Sequence, residues 1–285
     1  VVAFLKKSSA KDFHLFWRGT GDAAKAQIHK NFLRRFFFKK RLLAWLFLIP
    51  LGAQAATNLA CAPIGRMDLP WWRAHFAQTR AAAAADPGAR VVWLGDSITY
   101  YWQRHGGHGY DDILPVWDQY YAPYNALDFG FVGDTTASLI WRLDHGQVAG
   151  LHPRVAIILI GANNFGLVHW GAAMTVPGIE AVVADTHRHL PGAHIILLGV
   201  LPSVRSPWVD AQTVATNAAL ARRYAHSQTV TFLNVAAALQ TNGATDPALF
   251  VDPRLHPPAP ALHPDAEGMA RIAALIAPTV EAYNN

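Results

Sequence analysis

Five short apolar segments, each running toward a glycine or a turn, constrain this chain more than any other feature. They are residues 90–95, 126–133, 154–161, 194–200 and 230–235. The third is rich in β-branched residues and apolar on both faces, which is the pattern of a strand in a parallel sheet covered by helices on both sides. Helical segments are expected between them, over 135–143, 176–190, 209–226 and 265–283, with one more over 70–85 ahead of the first strand. Asp134 or Thr135 is the expected N-cap of the helix at 135, Pro177 falls near the start of the helix at 176, and Pro191-Gly192 closes it. A repeated βα order with right-handed crossovers predicts a three-layer α/β/α sandwich around a mainly parallel, flavodoxin-like five-stranded sheet. In such a fold the loops at the carboxyl ends of the strands form the binding crevice.

The overall net charge of +5 is unevenly placed. Residues 1–55 carry 7 Lys and 4 Arg against Asp12 and Asp22, whereas residues 56–285 carry 13 Arg, no Lys and 17 acidic residues. The main part of the chain is mildly acidic, which argues against nucleic acid as a partner. Within the basic part, Arg34-Arg35 through Arg41 is followed by the apolar run Leu42 to Leu51 and then Ala53-Gln54-Ala55. That order is the anatomy of a secretory signal peptide, and the run is short for a membrane span, which needs about 20 apolar residues. The expected organisation is an extension of uncertain character at 1–33, a signal peptide at 34–55, a linker and helix at 56–87 and a catalytic domain at 88–285. Export to the periplasm or medium follows, by the Sec or the Tat route, with no stable membrane span after cleavage. One cysteine, Cys61, excludes a disulfide framework and a Cys-rich metal site.

Four short motifs stand at strand ends or helix starts. Gly95-Asp96-Ser97-Ile98-Thr99 follows the first strand and Gly133-Asp134-Thr135-Thr136 the second. Gly161-Ala162-Asn163-Asn164 follows the third, and Leu262-His263-Pro264-Asp265 precedes the last helix. A serine on a tight strand-to-helix turn presents its hydroxyl, a glycine lets a backbone N–H approach a ligand, and an asparagine adds a side-chain donor. A nearby imidazole can take the proton of a serine that attacks a carbonyl.

Together the four blocks resemble the SGNH (GDSL) hydrolase family over about residues 88–280. Phe129 to Thr136, followed by Trp141-Arg142-Leu143, is similar to the branch containing the platelet-activating-factor acetylhydrolase Ib catalytic subunits. The resemblance implies Ser97 as nucleophile and His263 as base. It also implies an oxyanion hole made of the Ser97 and Gly133 amides and the Asn163 side chain, with Asn164 as the rival for the last role. A second Leu-His-Pro triplet holds His256, but two prolines follow it instead of a helix.

The sequence departs from the family just before the histidine. The family's aspartate stands three residues ahead, where this chain has Pro260; the nearest preceding carboxylate is Asp252, eleven residues back. Either Asp252 folds back onto His263, or a backbone carbonyl, a water or another residue orients the ring.

These readings imply an exported serine ester hydrolase that acts through an acyl-enzyme, with no metal and no organic cofactor. Its expected substrate is a small acyl ester, acetyl above all, of a carbohydrate or another small molecule, and its oligomeric state is left open. Trp93, Tyr100, Tyr101, Trp102, Trp170 and Trp208 are available to line the crevice or to fill the core. The alternatives are a lipase or lysophospholipase of the same family, and a non-hydrolytic protein that binds or transfers the acyl groups of a polysaccharide. The export reading predicts a mature N-terminus near Ala56. N-terminal sequencing of protein recovered from the periplasm or medium checks it, and an uncut cytoplasmic chain refutes it.

Overall fold

The structure is a computed structural model and describes residues 57–253, 255 and 260–284. The signal-peptide reading and His256 fall outside those residues. A helix α1 (Pro70–Ala85) leads into strand β1 (Val91–Gly95). There follow β2 (Ala126–Gly130), α2 (Thr136–Asp144), β3 (Val155–Leu159), α3 (Ala172–His189), β4 (His194–Leu198), α4 (Pro207–Tyr224), β5 (Val230–Leu233) and α5 (Ala266–Asn284). The five strands form one sheet in the order β2-β1-β3-β4-β5, parallel throughout. This is the expected doubly wound order, with the chain reversing direction across the sheet between β1 and β3.

Alternation along each strand divides the core into two layers. Val92, Leu94, Ala156, Ile158, Ile195 and Leu197 pack against α2, α3 and α4 through Leu139, Leu143, Ile179, Val182 and Leu220. Val91, Trp93, Val155, Ile157 and Ile196 face the other way, against Trp117 and against Met269, Ile272 and Ile276 of α5. Every residue of β1 and β3 is buried, which explains why these segments read as unbroken apolar runs. The helix expected from 176 begins four residues earlier, at Ala172, and Pro177 lies inside it. Its start is set from outside the helix, because the Ala172 N–H donates to Oε1 of Gln212 at 2.7 Å. Local punctuation could not announce that contact.

The turn after β1 is packed to contact. A Cβ on Gly95 would lie 2.4 Å from the carbonyl oxygen of Leu159, and one on Gly130 would lie 2.0 Å from the backbone nitrogen of Tyr100. The short helix Ser97–Tyr100 therefore sits directly on the end of β2. Asp96 caps that helix, its Oδ1 accepting the Ile98 N–H at 3.0 Å. The Asp96 carboxyl is buried, and its other oxygen has no hydrogen-bond partner among the described residues. Burial pushes it up to about 7, and the nearby Asp134 adds to the effect.

Two expectations follow. Gly130→Ala forces Tyr100 backbone to move, and its midpoint in urea should fall by an amount equivalent to about 1–3 kcal/mol; an unchanged midpoint would refute the close approach. Folded Asp96 keeps its proton to about pH 7, while the unfolded chain releases it near the ordinary value of 3.8. The folded state thus holds more protons in that window, so this group's contribution becomes less favourable as pH rises through it. Asp96→Asn keeps the cap acceptor and cannot ionise. Its stability relative to wild type should rise between about pH 4 and 7 and then level off, as read by urea titrations across that range.

Candidate active site

Ser97, His263 and Asp252 come together although 166 residues separate the first two. Ser97 opens the short helix after β1, so the sheet edge and the turn fix its position. His263 stands just before α5 in the two-residue strand His263–Pro264, which pairs antiparallel with Phe250–Val251. Val251 lies opposite His263 in that pairing, and this brings Asp252 alongside the histidine across the intervening loop. The carboxylate is held there by the backbone: Oδ2 accepts the N–H of Leu262 at 2.6 Å and that of His263 at 3.4 Å. Its Oδ1 meets His263 Nδ1 at 2.8 Å, and His263 Nε2 meets Ser97 Oγ at 2.9 Å. With Nδ1–H donating to the carboxylate, Nε2 is left as the acceptor for the serine hydroxyl; the hydrogen-bond pattern assigns this tautomer. All three residues are buried, which strengthens the charge-assisted bond between ring and carboxylate.

The three expected oxyanion donors belong to adjoining loops. Gly133 has a φ of 77°, in the region that favours glycine. Among the described residues no hydrogen bond is made to the amide N–H of Ser97 or of Gly133. Asn163 Nδ2 donates one hydrogen to the Asp134 carbonyl at 2.9 Å, which ties the loop after β3 to the loop after β2 and leaves its second hydrogen over. Its neighbour Asn164 is fully buried and otherwise employed. Its Oδ1 accepts the Thr136 N–H at 3.0 Å and its Nδ2 donates to Thr136 Oγ1 at 2.9 Å. Thr135 holds the expected N-cap position of α2 without a side-chain cap bond, and Asn164 supplies the acceptor from outside the helix.

Asp134 is used differently. Its Oδ2 accepts from Arg142 Nε at 2.8 Å, and its Oδ1 accepts from Trp72 Nε1 at 2.8 Å and Arg66 Nη1 at 3.1 Å. Arg142 is fully buried and also donates to the carbonyls of Gly95 at 2.9 Å and Phe129 at 3.0 Å, and to Gln147. Burial pulls Arg142 below its ordinary value and Asp134 opposes that pull. The sequence reading noted Arg142 without giving it a task. The signal was an arginine in the apolar stripe of α2, three residues after Leu139 and next to Leu143.

The aromatic residues divide. Trp93 and Trp102 are core, packed on each other at 5.1 Å between ring centroids, and so do not line the crevice. Tyr101 is buried against the His263 ring at 4.3 Å. Tyr100 and Trp208 are exposed and Trp170 is half-buried. A cavity of about 380 Å³ opens beside the serine turn, lined by His75, Tyr100, Gln103, Arg104, His105 and Asp128. Ser97 and His263 are not among its walls, so it adjoins the site without being part of it. Burial pushes the Asp128 carboxyl up to about 8. Among the described residues no group of three or more His, Cys, Asp or Glu could hold a metal ion, and no helix is long and apolar enough to cross a membrane.

This arrangement has relatives. Platelet-activating factor acetylhydrolase IB subunit alpha2 of Homo sapiens is 35% identical over 160 residues, 54% of this chain and 63% of that protein. Subunit alpha1 of Bos taurus is 29% identical over 126 residues, 44% of this chain and 49% of that protein. The chain thus spans less than two thirds of the length of these relatives. A GDSL-like lipase from Bacteroides thetaiotaomicron shares the fold with a TM-score of 0.54 at 20% identity, over 73% of this chain and 97% of the other. Residues 93–271 match the model of the GDSL-like lipase/acylhydrolase family, which spans all four motifs. The chain belongs to that family.

Proposed function

We propose that the protein is a serine ester hydrolase in which Ser97 is the nucleophile, His263 the base and Asp252 the residue that orients the base. The observation that carries this reading is the continuous chain from Asp252 Oδ1 through His263 to Ser97 Oγ, with links of 2.8 and 2.9 Å. In the first half-reaction Ser97 Oγ bonds to the ester carbonyl carbon while Nε2 takes the hydroxyl proton. The carbonyl oxygen becomes an oxyanion, met by the N–H groups of Ser97 and Gly133 and the free hydrogen of Asn163 Nδ2. Collapse breaks the bond to the alcohol, which leaves with the proton from Nε2. Water, deprotonated by the same nitrogen, then releases the acid and restores Ser97. Asp252 supports the imidazolium formed in each half and fixes its tautomer.

The proposed substrate is a small acyl ester, acetyl above all, and the names of the relatives support that acyl group. Carbohydrates and other extracellular small molecules are the proposed alcohol part, given the export expected from residues 34–55. A second reading, a lipase or lysophospholipase, is favoured by the exposed Leu167, Val168, Val204 and Trp208 in the segments that follow β3 and β4. Turnover falling steeply as the acyl chain lengthens beyond acetyl favours the first reading, and turnover rising with length the second. A carboxylate at 2.8 Å from Nδ1 favours hydrolysis over the non-hydrolytic alternative.

Ser97→Ala should reduce hydrolysis of p-nitrophenyl acetate to below about a hundredth of wild type without changing the melting temperature. His263→Ala should be comparably severe. Asp252→Asn should lower kcat by about 10²–10⁴, by the logic of a displaced tautomer. Activity of Ser97→Ala near wild type would overturn the assignment of the nucleophile.

A further inference from the structure

Hydrogen bonds at both ring nitrogens fix His263 along the line joining Asp252 to Ser97 but leave the ring free to tilt about that line. The restraint on tilt comes from the face. The Tyr101 ring lies 4.3 Å from the imidazole, centroid to centroid, with 31° between their planes. Tyr101 follows Ser97 by one helical turn, and its N–H donates to the Ser97 carbonyl, so the turn that carries the nucleophile also carries the ring behind the base. Arg104 lies over Tyr101 in turn, with its guanidinium carbon 4.1 Å from the ring centroid. The imidazole and the guanidinium both pack against the Tyr101 ring. Tyr110 completes the arrangement, edge-on to Tyr101 at 5.8 Å with its own centroid 3.8 Å from the guanidinium carbon.

Arg104 is held here by rings more than by anions. Its Nε is buried without a hydrogen-bond partner, and it makes no ion pair with another described residue. Its own backbone is pinned, because its carbonyl accepts the N–H of Ile113 at 3.0 Å and of Leu114 at 3.2 Å. A guanidinium between aromatic faces is favourable, by about 0.5–2 kcal/mol for each cation–π contact in general. Its contact with the ring that backs the base gives that packing a use.

We propose that Tyr101 and Arg104 are positioning residues for His263: Tyr101 sets the tilt of the imidazole, and Arg104 clamps Tyr101. The proposal rests on the reading of His263 as the base.

Two pairs of variants test this. Tyr101→Leu should lower kcat by about 10–100-fold with KM within about twofold, because a tilted base weakens only the chemical step. Tyr101→Phe, which keeps the face, should retain most of kcat. Arg104→Met should lower kcat by about 3–10-fold with KM within about twofold, because a Tyr101 ring without its clamp holds the base less firmly. Should Arg104→Met fold poorly, Arg104→Gln reads the same split. The proposal is overturned if kcat and KM change together in Tyr101→Leu, if Tyr101→Phe loses as much kcat as Tyr101→Leu, or if Arg104→Met and Arg104→Gln both keep wild-type kcat. An active His263→Ala sinks the reading of the base, whereas an inactive His263→Ala with unchanged kcat in Tyr101→Leu sinks the positioning role alone.

Discussion

The ion pair between Arg142 and Asp134 is the interaction on which the site depends. One guanidinium, wholly inside the protein, grips the carbonyl at the end of β1, a carbonyl near the end of β2 and the carboxylate just after Gly133. The carbonyl of that same Asp134 holds Asn163. Three of the four motif loops thus hang from one pair of side chains, and their mutual distances are set before any substrate arrives. Burying two charges is costly unless nearly all their hydrogen-bonding capacity is met. Here it is met from Trp72, Arg66, Gln147 and three backbone or carboxylate acceptors, so the pair fixes geometry without leaving a stranded charge.

The same economy governs the carboxylates. Asp252 receives two backbone N–H groups and an imidazole. Asp96 and Asp128 receive one backbone N–H apiece and are otherwise enclosed, so burial favours their neutral forms. In both, burial raises the carboxyl more than the hydrogen bonds it accepts lower it.

Much of this was legible in the sequence, and the limits of that legibility are physical. Strand positions could be read because burial on both faces leaves no polar alternation, and α1 spans the expected 70–85. Ser97 and His263 stood out because their neighbours are local: a glycine, a cap, a helix start. Asp252 stayed open because its relation to His263 depends on a strand pairing across eleven residues, and spacing alone does not encode pairing. Arg142 and Tyr101 escaped because their roles lie wholly in contacts between distant segments. Trp93 and Trp102 could have gone to either crevice or core, since a tryptophan's sequence position does not say which way its ring turns; on β1 and in the turn after it, both turn inward.

The short antiparallel pairing of Phe250–Val251 with His263–Pro264 has an evolutionary consequence. It joins carboxylate and imidazole across neighbouring rungs, so their distance no longer depends on how much chain runs between them. Closing a longer loop costs little, about 0.6 kcal/mol for each doubling of its length. The interval between Asp252 and His263 is therefore a place where a lineage can add or remove residues while imidazole and carboxylate keep their registration.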